Sequence, residues 1–314
     1  MRAVGVREFG GPEALEVVEL PEPHASTGHI RIRVHAAAVN PTDTITRSGG
    51  RAERLAAAGP PPYVPGMDAA GVVDEIGPDT FTDLVVGDRV MAIVVPTASD
   101  GAYAEYVVVP AESVVRAPVG STHAEAATLP MNGLTAQLAL DLLDLAPGST
   151  LGVTGAAGAF GGYAVQLARA AGLRVVADAS DADRELVAGL GADVVVARGA
   201  ELAANVRAVA PDGVDGLADG AVQGDAVLGA VRDGGRIATV RGYEGPVERG
   251  ISWHPVWVRD YARRREALDR LGRLAERGAL TLRVAVTWSP EEASEAHRRL
   301  EAGGVRGRMV IHLA

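Results

Sequence analysis

The most informative stretch of this chain runs from Leu151 to Gly162 and reads LGVTGAAGAFGG. A short apolar run leads into a glycine-rich turn, and the helical pattern YAVQLAR follows at once. Such a turn lets the backbone approach a dinucleotide pyrophosphate, and the helix N-terminus presents N–H groups and the positive end of its dipole. The usual pattern is Gly-x-Gly-x-x-Gly. Here Ala156 replaces the first glycine, whereas Gly158 and Gly161 keep the other two positions.

Strand and helix candidates alternate behind this turn. The segment LRVVAD at 173–178 is typical of a second parallel strand, and it closes a βαβ unit of about 30 residues. Further candidates are strands at 193–196, 214–219 and 234–240 and helix 201–209. This alternation predicts a doubly wound parallel sheet of the Rossmann type. The alternative is a glycine turn that joins a strand to a helix and binds nothing.

Composition limits the possible chemistry. The chain has 314 residues, 47% of them hydrophobic, which suggests two domains with real cores. It has no cysteine, so disulfides, thiolate metal ligands and cysteine nucleophiles are excluded. It also has no lysine: all 30 basic residues are arginine, and Schiff-base chemistry is excluded.

Hydropathy and net charge argue against a membrane protein and against binding to nucleic acid. No apolar run is long enough for a transmembrane helix, and the N-terminus lacks the apolar core of a secretory signal, so we expect a cytoplasmic protein. A net charge of −10 argues against a general affinity for nucleic acid. The only basic run, at 263–265, lies in an amphipathic pattern from Tyr261 to Arg277, which indicates a solvated helix face.

The two ends of the chain differ from its middle. Alternation at 30–35 and β-rich runs at 70–76, 89–95 and 103–109 predict an all-β, loop-rich domain. Helical periodicity begins near 121, with Ser121 and Asn132 as expected N-caps. The tail returns to a strand (282–287), a helix opened by a capping box at 289–292 and a strand (308–312). We therefore predict one domain from residues 1–120 and 281–314, and a nucleotide-binding domain from 121–280.

Several stretches, in the order in which they occur, resemble one known family. They are AVNPTD at 38–43 with RSG at 47–49, YVPGMDAAGVV at 63–73, VGDRV at 86–90, LPMNGLTA at 129–136 and the glycine turn at 155–162. With them the chain resembles the medium-chain dehydrogenase/reductase superfamily and, within it, the zinc-free quinone oxidoreductase group (zeta-crystallin-like). The resemblance covers nearly the whole length. It implies an α/β protein with a GroES-like, β-rich catalytic domain and a Rossmann domain.

The same stretches differ from the zinc alcohol dehydrogenases. That branch has a cysteine where Asn40 stands and a His-Glu pair after the glycine at 66, where this chain has Met67 and Asp68. Catalytic zinc needs three protein ligands and an open fourth position. None of the seven histidines is spaced as a metal cluster. We expect no metal.

The second-strand loop bears on the choice of nicotinamide cofactor. An acid at the end of this strand binds the ribose of NAD, whereas its absence together with nearby cations suits NADP. The expected acid position falls at Ala179, and Asp178, one residue earlier, is expected to face the other side of the strand. The resemblance places Ser180 and Arg184 at the phosphate, with Arg198 as a further cation. NADPH is therefore the expected cofactor, although Asp181 and Asp183 lie in the same loop and would repel a phosphate.

Hydride transfer is the chemistry of the cofactor, and the protein supplies position and a dry site. In the related reductases the nicotinamide lies between the domains. The resemblance implies the following cofactor contacts: Asn40, Thr135, Ala157, Gly158, Ala159, Phe160, Gly161, Ser180, Arg184, Arg198, Val240 and Gly242. Hydride addition to a quinone or enone leaves negative charge on an oxygen, which needs a hydrogen-bond donor and then a proton. Asn40, Thr42 and Tyr63 are the catalytic candidates, and the nicotinamide ribose hydroxyl and water are further candidates for the donor.

Further residues suggest how the substrate site is lined. Tyr243, Trp253, His254 and Trp257 are candidates for its outer part, although each is as easily explained by packing. Ile45 occupies the place of a tyrosine that some quinone reductases have in the first box, which leaves the substrate open.

Three functions are compatible with these observations. The first is an NADPH-dependent reductase of quinones or α,β-unsaturated carbonyls. The second is an enoyl reductase dedicated to one biosynthetic intermediate, and the third is a non-catalytic NADPH-binding protein of the crystallin-like or RNA-binding kind. The resemblance also implies a small-molecule substrate and a homodimer, with no membrane partner.

Overall fold

The computed structural model describes residues 1–313, which form two compact units. Unit 1 contains Met1–Met131, Ala262–Glu276 and residues 282–313, and unit 2 contains Asn132–Tyr261 and Arg277–Thr281. The division differs from the predicted boundaries at 120 and 281, because residues 121–131 and 262–276 lie in unit 1. Hydrogen bonds account for part of this difference: Ser113 Oγ donates to the Ala262 carbonyl at 2.7 Å, and Arg265 pairs with Asp83.

Fifteen strands are found within residues 1–313. They are β1 (Arg2–Gly5), β2 (Glu16–Glu19), β3 (His29–Ala38), β4 (Asp68–Ile76), β5 (Arg89–Ile93), β6 (Tyr106–Pro110), β7 (Val114–Arg116), β8 (Thr150–Thr154), β9 (Arg174–Ala179), β10 (Val194–Ala197), β11 (Val214–Asp219), β12 (Val231–Thr239), β13 (Ser252–Pro255), β14 (Val284–Trp288) and β15 (Arg308–His312).

Nine α-helices accompany the strands in the same part of the chain. They are α1 (Pro41–Arg47), α2 (Ala52–Ala58), α3 (His123–Ala127), α4 (Pro130–Leu143), α5 (Ala159–Ala170), α6 (Arg184–Gly189), α7 (Leu202–Val209), α8 (Arg265–Glu276) and α9 (Ala293–Ala302). Within residues 1–313 no helix has both the length and the apolar character needed to cross a bilayer.

Unit 1 is built on a mainly antiparallel sheet of seven strands. The order is β14-β15-β3-β4-β5-β7, with β6 on β3, and only β14 and β15 pair in parallel. The central strand β3 buries Ile30, Ile32 and Val34 on alternate positions, as a half-covered sheet requires. A buried glycine is needed beside it, because a Cβ at Gly71 would lie 2.0 Å from the Arg33 carbonyl oxygen.

Unit 2 is built on a parallel sheet of six strands in the order β10-β9-β8-β11-β12-β13. The chain goes from β8 outward through β9 and β10, and then resumes on the other side of β8 with β11. The crevice at this change of direction, outside the carboxyl ends of the strands, is where such sheets bind ligands. The predicted α/β fold, a GroES-like β-rich unit and a Rossmann unit, is confirmed.

Several local predictions need correction. Thr122, not Ser121, is the N-cap of α3, and α4 begins at Pro130, so that Asn132 lies inside the helix. The N-terminal domain is not all-β, because α1 and α2 follow β3. Trp253 and His254 lie in β13, the sixth strand of the parallel sheet, which the pattern did not predict because its sequence SWHP contains no apolar run.

Candidate active site

The glycine turn connects β8 to α5 at the carboxyl edge of the parallel sheet. Gly155 has φ +65°, a conformation that costs glycine little, and a Cβ at Gly161 would lie 2.4 Å from the Gly155 carbonyl oxygen. Gly158 is the N-cap of α5 and has no side chain to accept a hydrogen bond from the first turn of the helix. The N-terminus of α5 therefore fits an anion such as a pyrophosphate.

Asp178 supports this turn from the second strand. Its Oδ1 accepts a hydrogen bond from the Ala156 N–H at 3.2 Å, and its side chain is buried. Burial raises the pKa of Asp178, and the N–H groups of Ala156 and Gly155 oppose that rise. Asp178 thus contacts the glycine turn. The sequence places this side chain on the face of β9 opposite to that of Ala179, and that orientation stays a prediction.

The residues predicted for a phosphate lie after β9 and β10, but they differ in their partners. Ser180 Oγ donates to Asp183 at 2.5 Å. Arg184 Nη1 donates to the Val195 carbonyl at 2.8 Å. The Arg198 backbone N–H donates to the Ala179 carbonyl at 3.1 Å, which joins the ends of the two strands. Its exposed guanidinium has no hydrogen bond or ion pair within residues 1–313.

A second group of side chains shapes the edge beyond β11. Thr154 Oγ1 donates to Asp219 Oδ1 at 2.7 Å, so the ends of β8 and β11 are tied together. A Cβ at Gly220 would lie 2.6 Å from the Phe160 ring, which shows how closely the start of α5 packs on this loop. Val240 and Gly242, predicted to contact the cofactor, lie in the loop after β12 at the same edge of the sheet.

In unit 1, Asn40 is fully buried at the N-terminus of α1. Its Nδ2 donates to Asp68 Oδ2 at 2.6 Å and to the Ala38 carbonyl at 3.3 Å. Both amide protons therefore have acceptors inside the unit. Asn40 remains a candidate by position, but this geometry offers no N–H of its side chain to a substrate oxygen, which does not favour the donor role considered from sequence.

Asp43, at the third position of α1, begins a buried chain of hydrogen bonds. Its Oδ2 accepts from the Asn40 N–H at 2.8 Å and from the Tyr103 hydroxyl at 3.0 Å. The Tyr103 oxygen lies 3.3 Å from His297 Nε2, and His297 Nδ1 lies 3.5 Å from Arg47 Nη1. Every donor in this chain of hydrogen bonds has an acceptor when His297 is neutral and carries its proton on Nε2, so that Nδ1 accepts from Arg47.

Burial dominates the ionisation of this group. It raises the pKa of Asp43 to about 6 and that of Asp68 to about 7, although hydrogen bonds to both carboxylates oppose it. Burial also lowers the pKa of His297 to about 3, with a further contribution from the charge of Arg47. The imidazole is therefore neutral at physiological pH, in agreement with the hydrogen-bond order.

The other two catalytic candidates have different surroundings. Thr42 is half-buried, and its hydroxyl donates to Met67 Sδ at 3.1 Å. A thioether is a weak acceptor, so this hydroxyl can exchange its partner at little cost. Tyr63 is buried, and its ring stacks on Phe9 with centroids 5.3 Å apart.

Two further predictions can be compared with the structure, the position of Thr135 and the expected absence of a metal site. Thr135 is buried on α4 in unit 2. Within residues 1–313 there is no cluster of three or more histidine, aspartate, glutamate or cysteine side chains arranged to hold a metal ion.

Sequence reasoning missed Tyr103 and His297, which come from distant parts of the chain. Asp43 belongs to the AVNPTD stretch already singled out from the sequence, and an Asn-Pro-x-Asp sequence has the N-cap, first-turn proline and third-position acid of a helix start. For His297, which lies 194 residues after Tyr103, no local pattern exists.

Comparison with known proteins identifies the family. Residues 26–119 match the family described as the alcohol dehydrogenase GroES-like domain, and residues 190–311 match the family described as zinc-binding dehydrogenase. A quinone oxidoreductase from Lama guanicoe is 33% identical over 270 residues, covering 79% of this chain and 74% of that protein.

Solved structures give the same result over the full length. An NAD-dependent alcohol dehydrogenase is similar with a TM-score of 0.88 and 32% identity, covering 100% of both chains. A mycobacterial protein complexed with NADPH is similar with a TM-score of 0.85 and 28% identity, covering 99% of this chain and 100% of that chain. The predicted oxidoreductase class is confirmed. The chain belongs to the quinone oxidoreductase group of the medium-chain dehydrogenase/reductase superfamily.

Proposed function

We propose that this protein is an NADPH-dependent, zinc-independent reductase that transfers hydride to a quinone or an α,β-unsaturated carbonyl compound. The glycine turn is the main support for this proposal, because it leads to the N-terminus of α5, which has no side-chain cap. The family to which the chain belongs consists of oxidoreductases. NADPH, when bound, supplies the hydride. The backbone N–H groups at 159–161, in the first turn of α5, would hold the pyrophosphate.

The preference for NADPH rather than NADH is supported by charge. The exposed Arg198 guanidinium follows β10 next to the end of β9, where the adenosine ribose of a dinucleotide is expected. No carboxylate stands at Ala179, and Asp178 is buried against the glycine turn. The similar proteins include one named NAD-dependent and one complexed with NADPH, and the second supports NADPH.

Reduction of the substrate requires a donor for the developing oxyanion. Hydride added to a carbonyl or to the β-carbon of an enone leaves an alkoxide or enolate oxygen, which then takes up one proton from solvent. We assign the hydrogen bond to the Thr42 hydroxyl, because its present acceptor is the thioether of Met67. Asn40 has a positioning role, with its amide fixed by Asp68.

Zinc independence is supported by the donor set. The position of the expected cysteine ligand is Asn40, which donates to a carboxylate instead of offering a lone pair of sulfur. We also propose a homodimer. The short edge strand β13 leaves one side of the unit 2 sheet unpaired within residues 1–313, and light scattering would give the mass.

The test is the initial rate of NADPH loss, with NADH in parallel, against benzoquinone, a naphthoquinone and a simple enone. The proposal predicts turnover with NADPH well above NADH that survives treatment with a chelator. Turnover of the enone alone would favour a dedicated enoyl reductase. Tight NADPH binding without turnover of any acceptor would favour a non-catalytic protein, and loss of activity on chelation would contradict zinc independence.

A further inference from the structure

The loop after β12 holds an arginine in a conformation that arginine rarely adopts. Arg241 has φ +64° and ψ +18°, and Gly242 beside it has φ +73°. The left-handed region is open to glycine but strained for a residue with a Cβ. The loop is held in this shape by Thr239, whose Oγ1 donates to the Tyr243 carbonyl at 2.5 Å. Strain of this kind at the edge of a ligand crevice points to a functional use.

The side chain of Arg241 is exposed and has no hydrogen bond or ion pair within residues 1–313. Several other arginines of unit 2 have such partners: Arg174, Arg184, Arg207, Arg232, Arg236 and Arg249. The strained backbone of Arg241 is therefore not compensated by an internal contact of its guanidinium.

An exposed tryptophan lies against the same loop. Trp257 is 40% exposed, and a Cβ at Gly242 would lie 2.3 Å from its Cζ2, so the indole packs directly on the backbone next to Arg241. The guanidinium of Arg259 lies 5.0 Å from the centre of the indole ring. A flat aromatic surface thus has one cation stacked on it and lies against the backbone next to a second arginine.

The position of this group favours a substrate contact. Arg241 follows β12 and Trp257 follows β13, two neighbouring parallel strands whose carboxyl ends share the edge of the glycine turn. β12 is two strands from β8, which is about 10 Å at the usual spacing between strands. The adenosine half of a dinucleotide extends toward β9, on the opposite side of the turn, so the reacting half and its substrate are expected on the β11–β12 side.

We propose that Arg241 and Trp257 form a specificity subsite for an anionic aromatic substrate, a quinone or enone that carries a carboxylate or sulfonate. The inference rests on the proposed function. Trp257 stacks on the ring of the substrate, and the Arg241 guanidinium pairs with its acidic group. The strained loop aims the arginine, and the natural partner of the unpaired charge is the substrate.

The test compares naphthoquinone with naphthoquinone sulfonate, which differ in the anionic group. With Arg241→Gln we expect kcat/KM for the sulfonate to fall about tenfold, the loss of one charge-assisted hydrogen bond, and that for the neutral quinone to change less than about twofold. Arg241→Lys should restore much of the preference. Arg169→Gln is the matched control, because the exposed Arg169 is near the C-terminus of α5, away from the glycine turn.

Binding gives a second readout that needs no turnover. Naphthoquinone sulfonate should quench tryptophan fluorescence of the wild-type protein at lower concentration than it quenches Arg241→Gln, and Trp257→Phe should remove most of that quenching. Equal losses for both quinones, or equal losses in Arg169→Gln, would overturn the inference while leaving the reductase intact. A wild-type protein that reduces neither quinone but still binds the sulfonate through Arg241 would contradict the proposed function alone.

Discussion

Arg198 and Arg184 make different contributions to NADPH selection, and the structure predicts their order. The Arg198 guanidinium is exposed and has no hydrogen bond or ion pair within residues 1–313, whereas Arg184 already donates to the Val195 carbonyl at 2.8 Å. A hydrogen bond from a charged donor contributes about 1.5–3 kcal/mol. Since Arg198 is exposed, we take the lower end of that range, which corresponds to roughly a tenfold change.

Arg184 must first give up its bond to the carbonyl, which costs about 1 kcal/mol and leaves a net contribution of about twofold to threefold. We therefore expect Arg198→Gln to lower kcat/KM for NADPH about tenfold and Arg184→Gln to lower it by no more than about threefold. Neither variant should change kcat/KM for NADH by more than about twofold, because NADH lacks the phosphate.

The assay is the initial rate of cofactor oxidation at saturating quinone over a range of NADPH and NADH concentrations. Arg169→Gln serves as the control for loss of one positive charge, and circular dichroism checks that each variant is folded. A larger loss in Arg184→Gln than in Arg198→Gln would refute the reasoning from internal partners. Equal losses with NADPH and NADH would show that neither arginine contacts the phosphate.

Three further predictions concern the two units separately. Thr42→Val should lower kcat about tenfold with little change in KM for the cofactor. Thr44→Val should leave kcat unchanged, because the Thr44 hydroxyl donates only to the backbone of its own helix. Steady-state kinetics of the two variants measure this difference. Gly161→Ala should weaken NADPH binding and lower the Tm, because the added Cβ meets the Gly155 carbonyl oxygen at 2.4 Å; calorimetry with and without NADPH measures both. Asp68 has its pKa raised to about 7 by burial, so its contribution to stability is complete below the unfolded pKa of about 4 and is lost as the pH rises through about 7. The urea midpoint of Asp68→Asn should consequently fall less over this pH range than that of the wild type, and identical pH profiles would contradict the assignment.

The unit 2 sheet was largely predictable because its signals are local. β11 (Val214–Asp219) was expected at its observed bounds, and β9 and β10 were each expected one residue early. Parallel strands that are covered on both faces appear as short apolar runs, and glycine turns separate them from helices. The short strand β13 has no such run, which is why the sequence pattern does not indicate it.

The chemistry of the candidate site was less predictable because it depends on contacts across the chain. The pattern around Asn40 shows a polar residue where another branch has cysteine, but only the structure shows that its amide protons are donated to Asp68 and Ala38. Likewise, Arg184 and Arg198 are equivalent cations in the sequence. Their difference lies in a carbonyl of β10 that one of them contacts.

The central claim is hydride transfer from NADPH without a metal. Its most direct test is the rate of NADPH oxidation by a naphthoquinone, measured on protein dialysed against a chelator, with NADH at the same concentration as the comparison. The account predicts undiminished turnover with NADPH and much slower turnover with NADH. Turnover that requires added zinc, or that favours NADH, would contradict it.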